Sequence, residues 1–272
     1  MPRVPSLAWD MVRGVEHKLS VPPESATERV SGYRNPPILE STLTIDVDRI
    51  PVDRHAMLGR VDRNLDPSFT GVSTLSASGF SGTIASKVGI AFTTGDGKET
   101  VQATPDSLTF SCQAPYPGWD KFLARAQEAW AAYKAAVETV TARKCSVKYV
   151  NSIGIPINVP LRELFNTYPA IPEESPVQLF NAISMFYTMS ITSLPGAELS
   201  VLMTSIQQNA RFTNPQSAVP PPADGARILL DNTVTFRPSN EDEMWALMPE
   251  VRRVKNFAFE SQLSPRLKEA FN

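Results

Sequence analysis

Histidine and cysteine are scarce in this chain of 272 residues, with two of each. His17 falls in a proline-punctuated N-terminal stretch, and His55 stands beside Asp53, Arg54 and Arg60. A Ser-His-Asp or Cys-His constellation would have to use one of them, and His55, without apolar framing, reads as a solvated surface histidine. Cys112 and Cys145 are too few for a disulfide framework, and each falls in an expected strand, where a buried thiol is the simplest reading. No Cys-x-x-Cys or His-x-x-x-His spacing exists, which argues against a structural zinc site. No apolar run approaches membrane-spanning length. Asp10, Arg13 and Glu16 interrupt the stretch where a secretory signal would need an apolar core, so the expected location is the cytoplasm. A net charge of -2 supplies no field for holding polyphosphate and argues against nucleic acid as a general partner. One local cluster, Arg252, Arg253 and Lys255, is the remaining candidate for a phosphate-driven patch. Nucleophile-elbow, phosphate-loop and dinucleotide-binding glycine signatures are missing from the sequence. No cofactor is expected.

What is present is the composition of a soluble globular protein, 42% hydrophobic and 20% charged. Residues 1–33 read as a tail punctuated by Pro2, Pro5, Pro22 and Pro23. Within it, Ser6 is placed to cap a short helix with Leu7, Met11, Val12 and Val15 on one face and Trp9 near its edge. A helix this short needs a surface to dock on, so these residues are the candidate contacts to a partner or a sister subunit. The folded body is expected to begin at Pro36-Pro37, which cannot donate to a ladder and so mark a strand entrance. Leu43, Ile45 and Val47 then alternate with polar residues. A helix is expected over 52–65, followed by short strands with a Gly95-Asp96-Gly97 turn. Trp119, Phe122, Ala126, Trp130, Tyr133 and Val137, continuing to Val140, recur at spacings of three and four and predict a long amphipathic helix. A strand from Cys145 to Ile155 follows. Residues 161–272 repeat the scheme, with strands before a helix expected to start at Ser239 with Asp242, and a terminal helix capped by Ser264 with Pro265 at its first position. The expected fold is α+β, mostly antiparallel, as two halves (34–160 and 161–272) in one compact unit, each of several strands followed by a long amphipathic helix.

Three signatures carry a resemblance: Pro37-Ile38-Leu39-Glu40, Lys148-Tyr149-Val150-Asn151 and Phe259-Glu260-Ser261-Gln262-Leu263-Ser264. With them, residues 34–272 resemble a sporadically distributed bacterial family of uncharacterised function. That family shows a proline-led strand ending in an acidic residue, an (Arg/Lys)-Tyr-(Ile/Val)-Asn strand after a tryptophan-bearing helix, and a C-terminal Phe-Glu-x-x-(Leu/Ile)-(Thr/Ser). The chain departs from it in carrying Lys148 where arginine is usual, and in a short stretch between the first strand and the hairpins. The resemblance implies an accessory, mobile or defence-linked role and no catalytic residue.

Glu40, Lys148 and Asn151 are the candidate ligand-binding residues, because they lie on strands that could be neighbours. The competing structural reading pairs Glu40 with Lys148 and gives Asn151 a buried backbone partner. Asp46 and Asp48 would make at most a weak cation site. The expectation is a non-enzymatic protein that binds a protein partner or forms a homodimer, with no membrane association. The alternative is a small-molecule binder or enzyme with a pocket between sheet and helix.

Overall fold

Pro36 and Pro37 lack the N–H that a ladder requires, and β1 (Ile38–Val47) starts directly after them. In this computed structural model the described residues are 33, 35–48, 54–77, 86–137, 140–156, 159–168, 182–191, 193–194, 196–206 and 225–271. The side chains of 54–58, 76–77, 86–88, 182–183, 205–206 and 225–226 are outside that description, as is the proposed docking helix with Leu7, Trp9, Met11, Val12 and Val15.

Among the described residues, nine strands form one antiparallel sheet in the order β2-β3-β4-β5-β1-β6-β9-β8-β7. The others are β2 (Phe69–Ala77), β3 (Ser86–Thr94), β4 (Glu99–Thr104), β5 (Ser107–Gln113), β6 (Ala142–Pro156), β7 (Ala182–Ile191), β8 (Ala197–Ile206) and β9 (Gly225–Phe236). Register follows from the two-residue repeat. Leu43 faces Phe110 on one side and Val147 on the other, Val147 faces Val234, and Val234 faces Leu199. All five are buried, so one apolar stripe crosses the sheet. The opposite face is polar. Its hydroxyls pair across strands, as in Thr44–Thr109 at 3.0 Å and Ser146–Thr235 at 3.0 Å.

Helices cover the apolar face. α1 (Arg54–Asn64) packs on α2 (Trp119–Val137), and α2 packs on β5, with Phe122 5.6 Å from Phe110 between ring centroids. The buried side of α2 ends at Val137, short of the expected Val140, which is only partly buried. α3 (Leu161–Leu164) is a single turn.

The C-terminal helix differs from expectation at its start. Asn240, not Ser239, is the cap: its side chain accepts from the Glu243 N–H at 2.8 Å. The helix also comes as two pieces, α4 (Glu241–Ala246) and α5 (Met248–Gln262). Pro249 explains the break, since it cannot donate to the carbonyl one turn back and its ring crowds that carbonyl. α5 packs on β9. α6 (Pro265–Glu269) has the Ser264 cap and the leading proline. Its end meets the start of the body, where Tyr33 sits edge-on to Phe271 at 5.4 Å and the Asn35 N–H donates to the Phe271 carbonyl at 3.2 Å.

Candidate ligand-binding site

Where β1 enters the sheet, the apolar face is not filled by side chains. A cavity of about 180 Å³ lies there, between β6 and β9 below, α5 above and the first turn of α2 at the side. Pro36, Pro37 and Gly118 contribute backbone-rich walls, and Trp119, Tyr116 and Tyr149 contribute aromatic ones.

Lys255 is the unusual residue of this cavity. It belongs to the stripe Val251, Val254, Lys255 and Ala258 that α5 buries. It is only 9% exposed, and its Nζ lies 3.7 Å from the Tyr149 ring centroid and 5.9 Å from that of Trp119. Among the described residues it has no carboxylate and no hydrogen-bond acceptor. Burial first, and then the Arg252 guanidinium, push its pKa down to about 7. Arg252, three residues earlier on the same helix face, sits 5.9 Å over Trp119. Its acidic neighbour Asp120 is 3.9 Å away and almost fully exposed.

Tyr116 and Tyr149 share a hydroxyl–hydroxyl bond of 2.6 Å. Burial raises both phenols, so each holds its proton at neutral pH. Beneath them lies a buried amide with an unused donor. The Gln262 Nε2 donates to the Ala258 carbonyl at 2.6 Å, which fixes that amide's orientation because a carbonyl can only accept. The same Nε2 donates to the Asn232 Oδ1 at 2.9 Å, which leaves the Asn232 Nδ2 buried without a partner. Asn232 lines the cavity. At the far end, Glu260 is engaged by Lys268 at 3.2 Å, and burial together with Glu260 raises the Tyr33 phenol. The arrangement offers two cations and flat apolar walls, which is the chemistry for a small anion carrying a planar or apolar body.

Of the three residues expected to form a site, Asn151 lines this cavity, and its Nδ2 donates to the Leu230 carbonyl at 3.2 Å. Glu40 and Lys148 lie on the opposite, polar face. Residues three apart on a strand point to opposite sides, so Lys148 and Asn151 cannot share a pocket. Lys148 pairs with Asp231 at 2.8 Å instead of with Glu40. Asp46 and Asp48 are taken by Lys144 and Arg143, which leaves no carboxylate pair for a cation. The basic cluster also comes apart, because Arg253 pairs with Glu250 while Lys255 turns inward.

Sequence reasoning missed Asn232, and it grouped Lys255 and Arg252 with Arg253 as a phosphate patch instead of as cavity residues. A signal existed for two of them. Lys255 interrupts an apolar helix stripe, and Asn232 interrupts the alternation Ile228, Leu230, Val234, Phe236. A second, more open hollow of about 420 Å³ is lined by Arg125, whose guanidinium is already engaged by Glu99 at 2.8 Å and Glu128 at 2.7 Å. Compared with protein-family models and with curated proteins, the chain matches none.

Proposed function

We propose that the protein binds a small anionic ligand in the cavity between the sheet and α5. One observation carries this reading: a buried lysine without a counter-ion stands beside an arginine at the wall of an aromatic cavity. An uncompensated buried cation costs stability unless something negative joins it, and a carboxylate-sized ligand supplies that partner.

The second reading is association with a protein or another copy of the chain, in an accessory or defence-linked setting. It has its own support: β7 has no neighbour on its outer side among the described residues. There Phe186, 64% exposed, lies opposite Leu202 on the polar face.

Native mass spectrometry of protein purified from its own host reads both. The expected result is a retained low-mass acid that is released on denaturation and absent from Lys255→Met. Lys148→Ala, altered on the far face, should retain it. A stoichiometric dimer or protein complex with no small ligand would overturn the first reading in favour of the second.

A further inference from the structure

We propose that Lys255 captures a 2-oxo acid in this cavity as a covalent imine, an inference that rests on the ligand reading above. Imine formation requires an amine free of competing acceptors, an anchor for the rest of the ligand, and room for an addition intermediate. The Lys255 Nζ meets the first condition, since nothing among the described residues accepts a hydrogen bond from it. Arg252, one turn back on the same face of α5, meets the second, because a guanidinium holds a carboxylate through two parallel hydrogen bonds. A carbonyl adjacent to that carboxylate would then lie toward Lys255. The cavity of about 180 Å³ meets the third for a short acid and has little room for a sugar phosphate.

The step balances without a co-reactant. The neutral amine adds to the carbonyl carbon to give a carbinolamine. The carbonyl oxygen then leaves as water with both amine hydrogens, and a C=N bond remains. The Tyr116–Tyr149 hydroxyl pair lines the same cavity and can relay a proton from the amine nitrogen to the departing oxygen, so that both phenols end protonated. The groups around Lys255 favour the neutral amine. Arg252 is on its own helix with Asp120 beside it, Tyr149 comes from β6, Tyr116 from the turn before α2, and Tyr33 from the start of the body. Glu260, the acid that lines the cavity, is held by Lys268. A pKa of about 7 leaves a substantial neutral fraction at neutral pH.

The test uses the full chain, pyruvate as the probe and cyanoborohydride to trap the imine. The expected product is a single adduct that maps to the Lys255 peptide, is lost in Lys255→Arg, and has a pH half-point near 7. Arg252→Ala keeps the amine and should slow trapping of pyruvate about tenfold more than trapping of acetone, which has no carboxylate and registers only the accompanying rise in the Lys255 pKa. Circular dichroism establishes that each variant is folded. Adducts scattered over surface lysines, with none at Lys255, would overturn the proposal. Calorimetry with propionate separates the two claims. Propionate bound without any pyruvate adduct leaves the anion site standing and removes the imine, whereas the absence of both removes the ligand reading as well.

Discussion

A lysine held at 9% exposure with no carboxylate beside it destabilises the fold to which it belongs. Its pKa of about 7 in the native state against 10.5 when unfolded fixes the pH dependence. Below pH 7 both states are protonated, and the burial penalty stands in full. Between pH 7 and 10.5 the unfolded chain holds more protons, so native stability rises with pH. Ligand-free Lys255→Met should therefore be more stable than the parent by at least about 1 kcal/mol at pH 6, the scale of one unpaired buried group. That advantage should shrink by pH 9.5. Urea melts at the two pH values check it, and a difference independent of pH would show that the amine is not desolvated. At this scale the sequence was legible in type and not in place. Asn151 was identified, but Lys148 and Glu40 were grouped with it although strand alternation sends them to the other face. Lys255 was grouped with Arg252 and Arg253 as a phosphate patch, while the helical spacing that buries it points the other way.

Elements were more readable than sites, because their periods are local. β1, β5 and β6 follow their two-residue alternation, and α6 follows its Ser-Pro start. The break between α4 and α5 was missed, although Pro249 announces it. The turn into α2 has a backbone requirement of its own. Gly118 adopts φ of +96°, and its carbonyl accepts from the Phe122 N–H at 3.0 Å to open the helix. A Cβ at this position would meet nothing within 4 Å, so any penalty for Gly118→Ala comes from the backbone conformation alone. The expected loss is about 1–2 kcal/mol. Because Trp119 follows directly and walls the cavity, the same change should also weaken ligand binding. Thermal melts with binding titrations check both effects, and unchanged stability would mean that the turn readily adopts another conformation.

Across the whole molecule, the order of strands is what no local pattern could supply. Residues 34–160 and 161–272 each place their strands by alternation, but only long-range pairing joins them, through the β6–β9 ladder from Cys145↔Phe236 to Pro156↔Gly225. One apolar cluster then runs from Leu43 through Val147 and Val234 to Phe271. A ladder and a core shared in this way should make the two segments unfold together. Leu43 is the place to test it, being fully buried in β1 between Phe110 and Val147. Leu43→Ala should cost about 2–5 kcal/mol through lost burial and the cavity left behind. Trp245 reports on α4 in the later segment, while far-ultraviolet circular dichroism reports on the whole sheet. The expected outcome is one transition by both probes, with both midpoints lowered equally by the substitution. If fluorescence of a protein retaining only Trp245 kept its midpoint while the dichroism shifted, the 161–272 segment would be folding on its own, and the β6–β9 ladder would be a contact between domains.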